Sequence, residues 1–97
     1  MKPFGFHPEA RTELHESVLY YESRQQGLGR RFAEAIRDAI VRIRTQPLLF
    51  REIELGIHQC RALRFPYGVI YRFKGDTVEV LAIMHLSRKP GYWKHRQ

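Results

Sequence analysis

Residues 57–85, IHQCRALRFPYGVIYRFKGDTVEVLAIMH, decide the fold. They contain three runs rich in β-branched and aromatic residues, Ile57–Phe65, Gly68–Phe73 and Thr77–His85, which read as strands. Pro66-Tyr67-Gly68 and Lys74-Gly75-Asp76 are compact connections, and connections this short join antiparallel neighbours, so the segment predicts a three-stranded antiparallel meander. Val78-Glu79-Val80-Leu81-Ala82-Ile83-Met84 is the most continuously apolar run in the chain and predicts a central strand with both faces at least partly covered.

Working outward, the residues upstream supply the cover for one of those faces. Pro8 suits the first turn of a helix, Glu9 complements its N-terminal dipole, and Ala10, Leu14, Val18 and Tyr21 recur at i, i+4, i+8 and i+11. This predicts an amphipathic helix over His7 to Arg24, broken by Gly27-Leu28-Gly29. Phe32, Ile36, Ile40 and Ile43 repeat the same spacing in a second helix that stops before Pro47. A short turn between two helices folds them back as an antiparallel hairpin whose shared apolar face needs a sheet to bury it. Phe4 and Phe6 alternate within Lys2–Phe6 and suggest a short strand, placed at a sheet edge by Pro3 and Gly5. Strand, two helices and three strands in that order indicate the α+β class, with helices on one side of a sheet and no parallel α/β winding.

The chain has 97 residues, and residues 1–97 are read as a single domain, because cores divide only in much longer chains. Its one cysteine, Cys60, offers no intramolecular disulfide, and no Cys/His spacing matches a zinc site, so neither metal nor cofactor is expected and a reducing cytoplasm fits best. No run approaches the roughly 20 apolar residues of a membrane span, and the opening Met1–Phe6 does not read as a signal peptide. The net charge is +7 and unevenly placed: residues 1–56 carry 9 Lys/Arg against 8 Asp/Glu, residues 57–97 carry 8 against 2. The basic half is expected to attract an anionic partner such as RNA, DNA or an acidic protein segment.

Two constellations in that half could carry chemistry. Arg61, Arg64, Arg72 and His85 lie along or at the ends of the predicted strands, with Arg88 just beyond. Arg61 and Arg64 are an odd number of residues apart, so a regular strand points them to opposite faces unless it bulges or bends. Each arginine is equally well read as a solvated charge on a buried stem. His85, at a strand end, has the position of a general acid or base, or of a hydrogen-bonded structural histidine. The tail sets Tyr92 and Trp93 among Lys89, Lys94, His95 and Arg96, which suits stacking on single-stranded nucleic acid or, for Trp93, closing the core. Paired carboxylates are missing from this half, where only Asp76 and Glu79 occur, and neither a phosphate-binding glycine loop nor a serine-nucleophile motif appears.

Phe6-His7-Pro8-Glu9-Ala10 leading to Leu14, the Tyr20-Tyr21 pair, Gly27-Leu28-Gly29 followed by Phe32, and Pro47 resemble the toxins of the RelE/ParE superfamily. So do Arg64-Phe65-Pro66-Tyr67 with Ile70-Tyr71-Arg72, and His85-x-x-Arg88-x-Pro90-x-Tyr92-Trp93-x-x-Arg96. The resemblance covers nearly the whole chain and implies a type II toxin, forming a hetero-oligomer with a cognate antitoxin whose extended or helical segment wraps it. Two targets follow from it. RelE-like members cut messenger RNA in the ribosome, which here would place Arg64, Arg72, His85, Arg88 and Tyr92 in a catalytic role. ParE-like members poison DNA gyrase without being nucleases, and Arg61, Arg88, Tyr92, Trp93 and Arg96 would then contact target or antitoxin. The Pro-x-Tyr-Trp tail and the lack of a lysine cluster in Leu48–Gly56 favour the ParE-like branch. A third reading is an inactive or nucleic-acid-binding relative of the same fold.

Overall fold

The computed structural model describes residues 1–97. Its elements are β1 (Phe4–Phe6), α1 (Pro8–Arg24), α2 (Leu28–Thr45), β2 (Arg51–Glu54), β3 (Ile57–Arg61), β4 (Tyr67–Lys74), β5 (Thr77–His85) and a closing 3-10 turn, Lys94–Arg96. Helix α1 starts where the sequence places it. Pro8 occupies the first turn and the His7 ring accepts a hydrogen bond from the Glu9 N–H, capping an otherwise orphan donor. Helix α2 begins earlier than the Gly27-Leu28-Gly29 break suggests, because Gln25-Gln26-Gly27 complete the turn, with Gly27 at φ 85°, and Leu28 and Gly29 are already helical. The Glu22 carboxylate, at the end of α1, then accepts the N–H groups of Gly27 (2.9 Å) and Gly29 (3.0 Å), so one side chain caps the next helix.

The five strands form one mixed sheet in the order β1-β5-β4-β3-β2. Neighbours β2 to β5 are antiparallel, and β1 runs parallel to β5. The expected three-stranded meander is therefore one strand short. Arg51–Glu54 was not recognisable by alternation, since Ile53 is its one apolar residue; it forms because Leu55-Gly56, with Gly56 at φ 77°, turns it back onto β3. Two further boundaries differ. The predicted strand Ile57–Phe65 stops at Arg61, because the chain turns through Arg64 at φ 70°; Tyr67, expected in a connection, belongs to β4.

Helix α2 makes most of the core on one face of the sheet. Phe32, Ile36, Ala39, Ile40 and Ile43 are buried against Cys60, Val69, Tyr71, Val78 and Val80, while α1 buries only Ala10 completely and half-buries Leu14, Val18 and Tyr21. Burying a large apolar side chain contributes about 1.5–3 kcal/mol. The opposite face of the sheet is covered by the chain's own tail. Trp93, 2% exposed, packs with Ile57, Ile70, Leu81, Ala82 and Met84.

A bulge in β5 decides which face the site residues occupy. Ile70 pairs with Ala82 but Tyr71 with Val80, so Leu81 is the extra residue. Val78, Val80 and Ile83 consequently belong to the helix-side core, and Leu81, Ala82 and Met84 to the tail-side one. His85, two residues beyond Ile83, lies on the helix side, where its ring meets Tyr67 edge-on at 5.1 Å.

Candidate functional site

The densest polar cluster is built around a residue of α1. Glu13 stands three positions after the buried Ala10, at the flank of the apolar stripe, so its carboxylate reaches the sheet with 12% of the side chain exposed. Strand β1 pairs with β5 only as far as Val80, whose carbonyl accepts from the His7 N–H at 2.8 Å. Beyond that point side chains take over the ladder. The Leu81 carbonyl accepts from Arg96 Nη1 at 3.0 Å, and the Ile83 N–H donates to Glu13 Oε1 at 3.0 Å. Arg96 and Glu13 are themselves joined by contacts of 2.8 and 3.1 Å, and the Tyr92 hydroxyl donates to Glu13 Oε2 at 2.6 Å.

Burial, followed by the hydrogen bond to Glu13, pushes the Tyr92 phenol well above its ordinary pKa. Burial alone would lower the Arg96 pKa, but the hydrogen bonds and charge of Glu13 outweigh it and raise the value. Glu9, one turn earlier, holds His95 at 3.0 Å, and chiefly that hydrogen bond keeps its carboxyl below the usual range. Lys94 reaches Glu54 of β2 at 3.0 Å. Carboxylates from the first half of the chain thus neutralise part of the basic tail, and the uneven charge of the sequence is partly resolved inside the fold.

The predicted site residues separate accordingly. Trp93 closes the core and Arg96, 7% exposed, is spent on Glu13 and β5. Tyr92 is half-buried under Arg88, whose guanidinium lies 3.8 Å from the ring centroid and 3.5 Å from Glu13. Arg72 is held by Glu79 at 2.8 Å, on the sheet face opposite the core side chains Tyr71 and Phe73. Arg61 and Arg64 are exposed and have no ion-pair partner; Arg61 contributes its carbonyl, which accepts from Arg42. Arg72 and His85 are on opposite faces and five positions apart along the β4 register, about 17 Å along the strand.

His85, Arg88 and Glu13 meet instead with Glu16, Ser17, Tyr20 and Tyr67 in a small cleft between α1 and the end of β5. The Ser87 backbone N–H donates to His85 Nδ1 at 3.0 Å, and the Ser87 hydroxyl lies 2.7 Å from the same atom. A backbone donor fixes Nδ1 as the acceptor, so Nε2 carries the proton of the neutral ring. Sequence reasoning passed over Glu13, Glu16 and Tyr67. The available signal was a carboxylate bordering an apolar helical stripe, which in a chain with a basic tail marks a place for an internal ion pair.

No group of three or more His, Cys, Asp or Glu side chains is placed to hold a metal ion, and no helix is long and apolar enough to cross a membrane. No curated protein matches the chain in sequence. A solved structure described as the chromosomal ParDE TA system from P. aeruginosa matches with a TM-score of 0.64 over 89% of this chain and 97% of that one, at 15% identity, which is a likeness of fold. The family described as ParE toxin of type II toxin-antitoxin system, parDE, matches residues 5–90, a span that runs from β1 through the Glu13 helix to the segment after β5. By that match the chain belongs to the ParE toxins of type II toxin–antitoxin systems.

Proposed function

We propose that this toxin acts by binding, with DNA gyrase as its target, and that residues 1–97 form a single cytoplasmic toxin domain neutralised in a hetero-oligomer with a cognate antitoxin. The observation that carries the reading is the dispersal of the groups a nuclease needs. Metal-independent RNA cleavage requires a base, an acid and cations around one phosphate. Here Arg72 and His85 face opposite sides of the sheet and Arg72 is already paired with Glu79. An apolar groove of about 420 Å³ between β1, α1 and α2, floored by Phe6, Ile36 and Ile40 and rimmed by Arg37 and Arg44, suits an amphipathic antitoxin segment carrying acidic groups. Purified toxin added to a gyrase supercoiling assay is expected to inhibit it; unchanged supercoiling at saturating toxin removes gyrase as the target.

One observation favours the RelE-like alternative, a ribosome-dependent endoribonuclease. His85 shares its cleft with Arg88, whose side chain is 54% exposed, a proton carrier beside a cation. On that reading messenger 5′ ends change when the toxin is induced, and His85→Ala abolishes toxicity. On the binding reading messenger 5′ ends stay as in uninduced cells and Arg72→Ala leaves growth arrest intact, provided the variant melts as the parent does.

A further inference from the structure

The end of the molecule where the α1–α2 turn meets residues 62–66 and the end of β5 carries side chains that the packing leaves unused. Leu63 is 61% exposed and Tyr20 54%. Arg64 stands beside Leu63 with its backbone in the left-handed region, in a loop closed by Ala62 N–H to Tyr67 C=O (2.9 Å) and Tyr67 N–H to Phe65 C=O (2.8 Å). The loop is therefore fixed in shape and directs Leu63 and Arg64 outward. Beneath it, Tyr21 meets Phe65 at 5.1 Å, Tyr20 at 5.3 Å and Tyr67 at 6.1 Å, tying loop, helix and β4 into one aromatic platform.

A recess borders the platform against each helix, at Phe65 on the α2 side and at Tyr20 and Tyr67 on the α1 side. One, of about 480 Å³, lies beside Leu63 and Arg64; the other, of about 180 Å³, beside Tyr20 and Arg88. Both linings mix the two signs of charge: Arg31, Arg64 and Arg88 stand with Glu16, Glu34 and Asp38. A nucleic acid would set its phosphates against those three carboxylates, whereas polyanion binding draws on uncompensated positive charge. Tyrosine and arginine are instead the residues enriched in protein-binding hot spots, and here they flank an exposed apolar side chain on rigid backbone.

We propose that this end is the surface through which the toxin engages its target, a protein whose facing patch offers an apolar side chain to the Leu63 recess and mixed charges around it. The proposal rests on the reading of the toxin as a binding protein. It assigns the target to residues that share nothing with the β1–α2 groove, where Phe4, Phe6 and Val41 lie. A target held here and an antitoxin segment held in the groove occupy separate residues of one small domain.

Growth arrest in cells lacking the antitoxin tests it, and that readout does not depend on whether gyrase is the target. Leu63→Asp and Tyr20→Asp alter exposed positions, so both are expected to melt within a few degrees of the parent. Each should raise the toxin dose needed for arrest at least about tenfold. Leu63→Met and Tyr20→Phe keep arrest, as does Leu55→Asp, an equally polar change at an exposed leucine in the turn between β2 and β3. Folded Leu63→Asp and Tyr20→Asp proteins that arrest growth at the parental dose overturn the proposal. So does a loss of arrest in Leu55→Asp equal to theirs, or a parallel loss of messenger RNA cleavage that the parent performs.

Discussion

At the scale of single residues, the carboxylates of α1 and the phenol of Tyr92 govern how the tail is held. Glu9 has a lowered pKa, so its contact with His95 contributes stability above the unfolded carboxyl value near 4.5 and loses it as pH falls through the lower folded value. An acid titration followed by NMR of the His95 ring is expected to show release of the tail's end below pH 4.5; release beginning near neutrality, with the Glu9 carboxyl still ionised, would contradict this. Tyr92 shifts the other way. Its folded pKa is raised above the ordinary 10.0, so its neutral form is favoured in the fold, and stability present below pH 10 is lost as pH rises through the folded value. Tyr71, buried with its hydroxyl donating to the Pro47 carbonyl, shares the direction. A spectrophotometric titration should find both phenols un-ionised at the pH where exposed tyrosines have titrated, and Tyr92→Phe should remove one late-titrating group. Little of this was legible in the sequence. Spacing shows that Glu13 borders a helical stripe, but its partners come from Ile83, Arg88, Tyr92 and Arg96, more than sixty positions away, and no local pattern records such a meeting.

At the scale of elements, the helices and the strands β3 to β5 follow from periodicity because a 3.6-residue stripe and a 2-residue alternation survive in them nearly intact. The elements that escaped are those where a single residue overrides the pattern. Leu81 shifts the alternation of β5 and returns His85 to the helix side; Arg64 ends β3 early; β2 has too few apolar residues to alternate. Gly29 shows how tightly the recognisable hairpin is made. A Cβ there would lie 2.6 Å from the Val18 carbonyl oxygen and 3.0 Å from Glu22 Cβ, so the crossing of α1 and α2 depends on its absence. Gly29→Ala, normally favourable in a helix, is expected to destabilise the protein by about 1–3 kcal/mol in urea denaturation. Unchanged stability would mean that the helices can separate at no cost.

At the scale of the molecule, the tail is the second layer of the fold. The helices cover one face of the sheet, and Trp93 with its neighbours covers the other, while ion pairs from Glu9, Glu13 and Glu54 fasten the basic tail to carboxylates of the first half. Composition alone placed a basic surface on the second half of the chain. It could not show that part of that charge is consumed internally, because the pairing is between halves and exists only once they pack. Trp93→Ala should cost about 3–5 kcal/mol, a large share of the stability of a domain this size, read as a lowered urea midpoint. A change below about 1 kcal/mol would show that the tail lies loosely on the sheet.

The ladder along β5 is completed by a carboxylate and a guanidinium where a strand would otherwise run. That substitution is also a guard against self-association. A backbone edge with free N–H and C=O groups templates the addition of other chains, and here two side chains occupy it without offering a further edge. Removing them with Glu13→Ala and Arg96→Ala should therefore make the toxin cluster through sheet-to-sheet pairing. Light scattering and thioflavin fluorescence are expected to rise with protein concentration in the double variant and to stay flat in the parent.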